Sequence, residues 1–408
     1  MARDGGPADR DRRMARVTEA ADALMVGGGV IGLASAWEAA TRGASVIVVD
    51  PDPGRGASWA AAGMLAPVNE TTFGVEPLVR LLLEAAASWP AFAERLEEAS
   101  GLDVGLRRCG TVVVALDASD RAAIDRLLDF QRRLDLPASR LSASECRALV
   151  PALAPGVRGG AHVPGDHQVD NRRLVSALLE ACERAGVQLV RGRVGEVRID
   201  RGGPASGVVL EDGTAIRAGT VVVAAGAESG ALSGVPEGVL PAVRPVKGHI
   251  LRLRGDPARP LLRSTVRGLV HGRPCYLVPR ADGSVVVGAT SEERGFDRSV
   301  QAGAVHSLLD DARALVPDVD ELELVECVAG LRPGSPDNRP FVGMTSIPRL
   351  AVATGHYRNG ILLTPLTALA VAGLVTGEPG AGPPRTSPFD PFPADRMTPC
   401  APIPGRAL

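Results

Sequence analysis

Three times along this chain an apolar run of strand length breaks into a glycine-rich turn, and the first occurrence is the most complete. Residues 21–50 read ADALMVGGGVIGLASAWEAATRGASVIVVD, which is a short apolar run, a glycine turn, an alanine-rich amphipathic stretch and a second apolar run closed by an acid. That order predicts a βαβ unit of the dinucleotide-binding kind. Gly27 and Gly29 let the backbone turn and approach a pyrophosphate, Gly32 lets the helix pack close on the strands, and the helix N-terminus offers amides and its positive dipole end. Asp50, at the end of the second strand, is placed to hold an adenosine ribose and disfavours a 2′-phosphate. A bare GxGxxG also suits an ordinary turn, but here strand, glycines, helix and acid come in the expected order and spacing.

The other two occurrences decide between NAD and FAD. TVVVAAGAESGAL at 220–232 repeats the strand-then-glycine pattern, and LAVATG at 350–355 leads through His356, Tyr357, Arg358, Asn359 and Gly360 into a helix-like apolar run. A nicotinamide enzyme has no need of this late loop. An isoalloxazine does, because it lies far from the pyrophosphate and its reduced form suits a second helix N-terminus.

Between these segments the pattern changes. Residues 76–99 have helical spacing, with Leu78, Leu81, Leu82, Ala85 and Ala86 on one face; 109–117 read as a strand and 120–134 as an exposed helix. Asp170 or Asn171 can cap a helix running to Gly186, and VQLVRGRVGEVRID supplies strands. From about 241 to 325 alternating runs such as HILRLR and GSVVVGAT predict antiparallel strands. The expected fold class is α/β: an FAD-binding Rossmann-like domain of the glutathione-reductase type (21–100, 157–240, 326–378) interleaved with an α+β substrate domain on a mixed, mainly antiparallel sheet (101–156, 241–325).

Composition narrows the function without naming it. The chain has 408 residues, 45% of them hydrophobic, enough for two cored domains. A net charge of −2 gives no electrostatic footprint for nucleic acid or an anionic membrane, and the 3% aromatic content leaves few stacking platforms. The six cysteines form no CxxC and read as reduced thiols, which with the lack of an apolar leader points to the cytoplasm. No apolar run reaches membrane-spanning length. Residues 1–20 read as a disordered extension, with Met14 an alternative start, and the proline-rich 379–408 as a solvated tail. Lys247, the only lysine, is expected at an exposed strand end.

The strings WAAAGMLAP (59–67), PVKGH (245–249), CYLVPRADGSVVVGAT (275–290), AGLRPG (329–334) and GHYRNGILL (355–363) resemble bacterial glycine oxidases of the thiamine-biosynthesis type, in the D-amino-acid oxidase and sarcosine oxidase group. The resemblance runs from about 23 to 377. It implies non-covalent FAD and oxidation of glycine, sarcosine or a small D-amino acid by hydride transfer to the flavin. Oxygen reoxidises the flavin to give hydrogen peroxide, and hydrolysis of the imine gives a keto or aldehyde acid and ammonia, with glyoxylate feeding the thiazole branch. No protein base is required. By resemblance Arg332 anchors the substrate carboxylate, a task suited to a planar fork, and Tyr276, Arg358 and Ser291 line the substrate pocket. The cofactor set implied is Gly27, Gly29, Val30, Ile31, Gly32, Asp50 and Pro51; then Ala57, Ser58, Ala62, Gly63 and Met64; then Val194, Gly226 and His356 through Ile361 and Leu362.

Two pocket positions depart from the family pattern, Pro274 in place of a histidine and Ser291 in place of a methionine, so preference among small amino acids stays open. A D-amino-acid oxidase or dehydrogenase of other preference, or a flavoprotein subunit or scaffold that does not react with oxygen, is the alternative, and self-association is open. His162, Asp166 and His167 match no metal-ligand spacing and read as a loop entering a helix; no metal is expected. Cys275 and Cys327 lie outside any flavin-attachment context.

Overall fold

In the computed structural model, which describes residues 20–377, strand Ala21–Val26 sits at the centre of a parallel sheet. It pairs in parallel with Val46–Asp50 on one side and Ala215–Val223 on the other; Gln188–Arg191 and Leu350–Thr354 extend the two flanks in the same sense. Residues such as Leu24, Met25, Val48 and Val222 are wholly buried, as strands covered on both faces require. Helices Val30–Thr41, Val79–Ser100, Asn171–Arg184 and Thr364–Thr376 cover one face. The antiparallel pair Val194–Ile199 and Ala205–Leu210 continues from the first half of Ala215–Val223 and covers the other. Asp170 is the residue that caps its helix, accepting from the Arg172 and Arg173 amides.

The second sheet has eight strands and is antiparallel except where Thr111–Ala115 runs parallel to Thr265–Val270. It is the mixed, mainly antiparallel sheet expected from the alternation. Strand Arg273–Pro279 shows why alternation is informative. Cys275 and Leu277 enter the core under helix Ala302–Leu315, while Tyr276 and Val278 face the opposite way. Helix Ala118–Arg133 is less exposed than its charge suggests, for Ile124 and Leu128 pack on Ala115 and Ala161.

Two expectations need correction. Gly160–Val163 and Glu323–Gly334 hydrogen-bond into the second sheet, although the boundaries at 157 and 326 assign the first, and the second from Glu326 onward, to the nucleotide-binding segments. Lys247 is fully buried; its Nζ bonds Asp297 Oδ2 at 2.7 Å and Gln301 Oε1 at 2.9 Å, so the strand end is covered by the following loop. The expected N-terminal extension up to residue 19 and the proline-rich tail lie outside the described residues.

Buried arginines stitch the sheets together. Arg280 donates to the carbonyl of Ala62 (2.7 Å) and to Gln168 Oε1 (2.6 Å), Arg252 to the carbonyls of Trp59 and Ala61, and Asn171 Nδ2 to those of Ser58 and Trp59. A loop between two cores must satisfy its carbonyls without water, and these side chains do so. Asp166 has a similar duty. Its carboxylate accepts from the Val68 and Asn69 amides and from Asn69 Nδ2, clasping the 66–72 loop, while burial pushes its pKa up to about 6.

Candidate active site

One cavity of about 1040 Å³ runs from the end of the parallel sheet to the second sheet. At its first end Gly27 has φ +111°, and a Cβ there would lie 2.5 Å from the Ala224 carbonyl oxygen. A Cβ on Gly32 would lie 1.9 Å from the Gly27 carbonyl oxygen, so helix and turn touch through glycine alone. Gly27, Gly29, Val30 and Ile31 border the cavity, whereas Gly32 stands behind them as a packing residue. The Val30 amide donates to Ser58 Oγ at 3.0 Å, bringing the return loop onto the helix N-terminus.

Asp50 borders the cavity next, with Pro51 beside it. Its oxygens accept from the Gly28 amide (2.7 Å) and the Asp52 amide (2.8 Å), which fix the carboxylate while leaving each oxygen capacity for another donor. Ala57, Ser58, Ala62, Gly63 and Met64 line one wall, Val194 and Gly226 the other. His356, Tyr357, Arg358, Asn359, Gly360 and Ile361 close the far side. Leu362 does not reach the cavity: it is buried, and its carbonyl accepts from Trp89 Nε1.

At the second sheet the lining becomes cationic. Arg332, Tyr276, Arg358 and Ser291 all border the cavity, as do Arg267 and Glu70, which sequence reasoning missed. Glu70 Oε1 pairs with Arg267 Nη1 at 2.8 Å, both side chains mostly buried. Burial pushes the Glu70 carboxyl upward, but Arg267, Arg358 and Arg332 together hold it below the usual range. Burial pushes the Tyr276 hydroxyl up despite those same arginines, so it stays protonated. Its ring rests against Gly288, where a Cβ would lie 2.5 Å from the hydroxyl. Burial pushes the Tyr357 hydroxyl up, but the neighbouring Arg358 and Ser291 hold it below its usual value, and Ser291 gives this wall a polar face. Arg332 Nη1 donates to the Thr290 carbonyl at 3.1 Å, which leaves its other N–H groups for a ligand. With Glu70 paired to Arg267, no carboxylate among the described residues forms a salt bridge with Arg332 or Arg358, an arrangement that suits a small anion. Glu70 and Arg267 carry no motif, and only the strand register and the loop clasp bring them together.

The chain matches the DAO family, FAD dependent oxidoreductase, over residues 22–374. It belongs to that family. Among similar proteins, glycine oxidase of Geobacillus kaustophilus is 40% identical over 364 residues, covering 88% of this chain and 94% of the relative. The bifunctional protein ThiO/ThiG of a Nostoc species is 36% identical over 355 residues, spanning 87% of this chain and 52% of that protein. The crystal structure of the Geobacillus kaustophilus glycine oxidase superposes with a TM-score of 0.84 at 37% identity, covering 93% of this chain and 99% of that one.

As in other members of an FAD-dependent family, the cavity must accept a dinucleotide, and its residues fit one. The glycine cradle at Gly27 and Gly32 admits no side chain. Asn359 Oδ1, buried on the cavity wall, has no hydrogen-bond partner among the described residues, which is a position for a donor from the cofactor.

Proposed function

We propose that this chain is an FAD-dependent glycine oxidase, with FAD held non-covalently from the Gly27–Ile31 turn past Asp50 to the His356–Ile361 loop. The observation that carries the reading is the buried cationic end of the cavity, where Arg332, Arg358 and Tyr276 face the space beyond the flavin-type loop. Similarity to glycine oxidases across nearly the whole chain supports the choice of substrate. Bound FAD supplies the two-electron acceptor that takes a hydride from the substrate Cα and passes electrons to oxygen, so that glycine, oxygen and water give glyoxylate, ammonia and hydrogen peroxide. Likeness to ThiO-containing proteins supports a place supplying the thiazole branch of thiamine synthesis.

The protein's own part is orientation. Arg332 grips the carboxylate with the N–H groups that Thr290 leaves free, and Tyr276, kept protonated by burial, donates to the same group. Arg358 balances the anion from the other side. Glu70 makes a poor base, because its ion pair with Arg267 keeps it ionised and engaged. The amine therefore reaches the site neutral or loses its proton to water. Cys275 lies in the core beneath the sheet with its thiol pushed up to about 12 by burial, which supports non-covalent attachment.

A second reading has its own observation. The cavity continues along Val113, Leu269, Ile124 and Leu127, an apolar margin larger than glycine needs, which favours small D-amino acids or N-alkylglycines as further substrates. The test is direct: purified protein should be yellow, release FAD on acid precipitation, and form peroxide, ammonia and glyoxylate in equal amounts from glycine. Absence of peroxide with glycine, sarcosine and D-alanine alike would rule out the oxidase reading.

A further inference from the structure

Gly248 sits in the interior of strand Arg244–Arg254, buried, opposite Gly330 on the neighbouring strand. Glycine weakens a strand interior and belongs there when another group must approach the backbone closely. Here the group is the Arg332 guanidinium. A Cβ on Gly248 would lie 2.3 Å from Nη1, 2.4 Å from Nη2 and 2.5 Å from Cζ of Arg332. The three distances put the outer edge of the guanidinium, Nη1 and Nη2, against the space where a side chain of Gly248 would stand. That edge is held at the same level by the Thr290 carbonyl, 3.1 Å from Nη1, with the Lys247 carbonyl at 3.5 Å.

We propose that Gly248 is a positioning residue for the substrate carboxylate: the missing side chain sets how deep the Arg332 fork lies against the sheet, and through it where the substrate Cα is presented. The inference rests on the reading of Arg332 as the carboxylate anchor. The atoms that meet an added methyl belong to the far end of a flexible side chain and not to backbone. Gly248→Ala therefore lifts the guanidinium by about 1 Å and breaks its bond to Thr290 rather than displacing the strand, and a misplacement of that size can cost on the order of a hundredfold in rate.

The experiment compares Gly248→Ala, Arg332→Ala and the double variant as FAD-loaded proteins. Gly248→Ala should keep the flavin content and melting temperature of the parent, bind glycolate at least about 10-fold more weakly by flavin absorbance, and lose about 30- to 100-fold in kcat/KM for glycine. Adding Gly248→Ala to Arg332→Ala should change kcat/KM less than about 3-fold, since the glycine acts through the arginine. A role in strand packing alone would lower stability and flavin content while leaving glycolate affinity per bound flavin unchanged. Wild-type glycolate affinity and kcat/KM in Gly248→Ala, with both lost in Arg332→Ala, would overturn the inference and leave the anchor standing. Both retained in Arg332→Ala would remove the anchor itself. Should Gly248→Ala fail to fold, the double variant decides: recovery of folding once the guanidinium is gone supports the seat, and continued failure shows that the methyl meets something else.

Discussion

Replacing Glu70 by glutamine should weaken the fold and tighten anion binding at once. The carboxylate sits on a loop held by the Asp166 clasp and by Gln131, whose Nε2 donates to the Val68 and Thr71 carbonyls, so the loop has little freedom to carry Glu70 elsewhere. Glutamine keeps the shape and one acceptor but removes the charge that offsets Arg267 at 2.8 Å. Breaking a fully buried pair typically costs about 3 to 5 kcal/mol; partial solvent access and the amide's remaining hydrogen bond bring the expectation here to about 2 kcal/mol. The effect on an anion has the opposite sign. Three guanidinium groups then act on the ligand with no carboxylate against them, and a unit charge some 10 Å away at an effective dielectric constant near 20 is worth about 1 to 2 kcal/mol. Glycolate, followed by flavin absorbance, should bind roughly 5- to 30-fold more tightly, while urea unfolding shows the loss of stability. General damage moves both measurements downward. Unchanged stability together with unchanged or weaker glycolate binding would refute the charge accounting on which the substrate side rests.

Gly32→Ala forces a Cβ to within 1.9 Å of a backbone carbonyl that cannot rotate away, so the variant should be isolated with little or no flavin; a normal ratio of flavin to protein absorbance would show that the turn has slack. Two buried groups contribute to acid stability with opposite sign. His356 is pushed down to about 3 by burial, with Nε2 near Thr367 Oγ1, so the unfolded chain binds its proton first and the stability it contributes above pH 6.5 is lost as pH falls, by up to about 5 kcal/mol. Asp166, raised from 3.8 to about 6, contributes stability below pH 4 that is lost as pH rises through 6, by up to about 3 kcal/mol. Their slopes oppose each other between pH 4 and 6. Compared with the parent, His356→Gln should have urea midpoints that rise less steeply, or fall, as pH rises across that window; a slope identical to the parent's would mean that His356 is not a group titrating there.

The nucleotide end was legible because it depends on local order. Strand, glycines, helix and acid lie within residues 21–50, and each conformational demand, such as φ +111° at Gly27, is met by a residue type that shows in the sequence. Alternation likewise announced the second sheet, on whose strand Arg273–Pro279 the structure sets Tyr276 on the face opposite Cys275. Domain boundaries were less legible, because Gly160–Val163 is a short apolar piece that could have completed either sheet and only its partner Thr111–Ala115 decides. Lys247 was misplaced for a similar reason. A lysine beside a strand end reads as solvated unless Asp297 and Gln301, some fifty residues later, are known to fold over it.

The substrate end joins residues that are far apart in sequence, and there the glycines change meaning. Gly27 takes φ +111° within its own turn and Gly32 packs on the Gly27 carbonyl, so their spacing carries the signal. Gly248 and Gly288 serve side chains of other strands, Arg332 and Tyr276, and nothing near them in sequence marks the debt. The register resolves it: Gly288 stands opposite both Ile250 and Tyr276, and Gly248 lies two positions along from Val246, the partner of Arg332. An antiparallel sheet stripped of side chains at these points leaves room for the end of a guanidinium and of a phenol to rest against its backbone beside the cavity. A lysine in place of Arg332 could supply the charge but has no planar fork to rest there, so the preference for arginine is set by the shape of the sheet as much as by the carboxylate it faces.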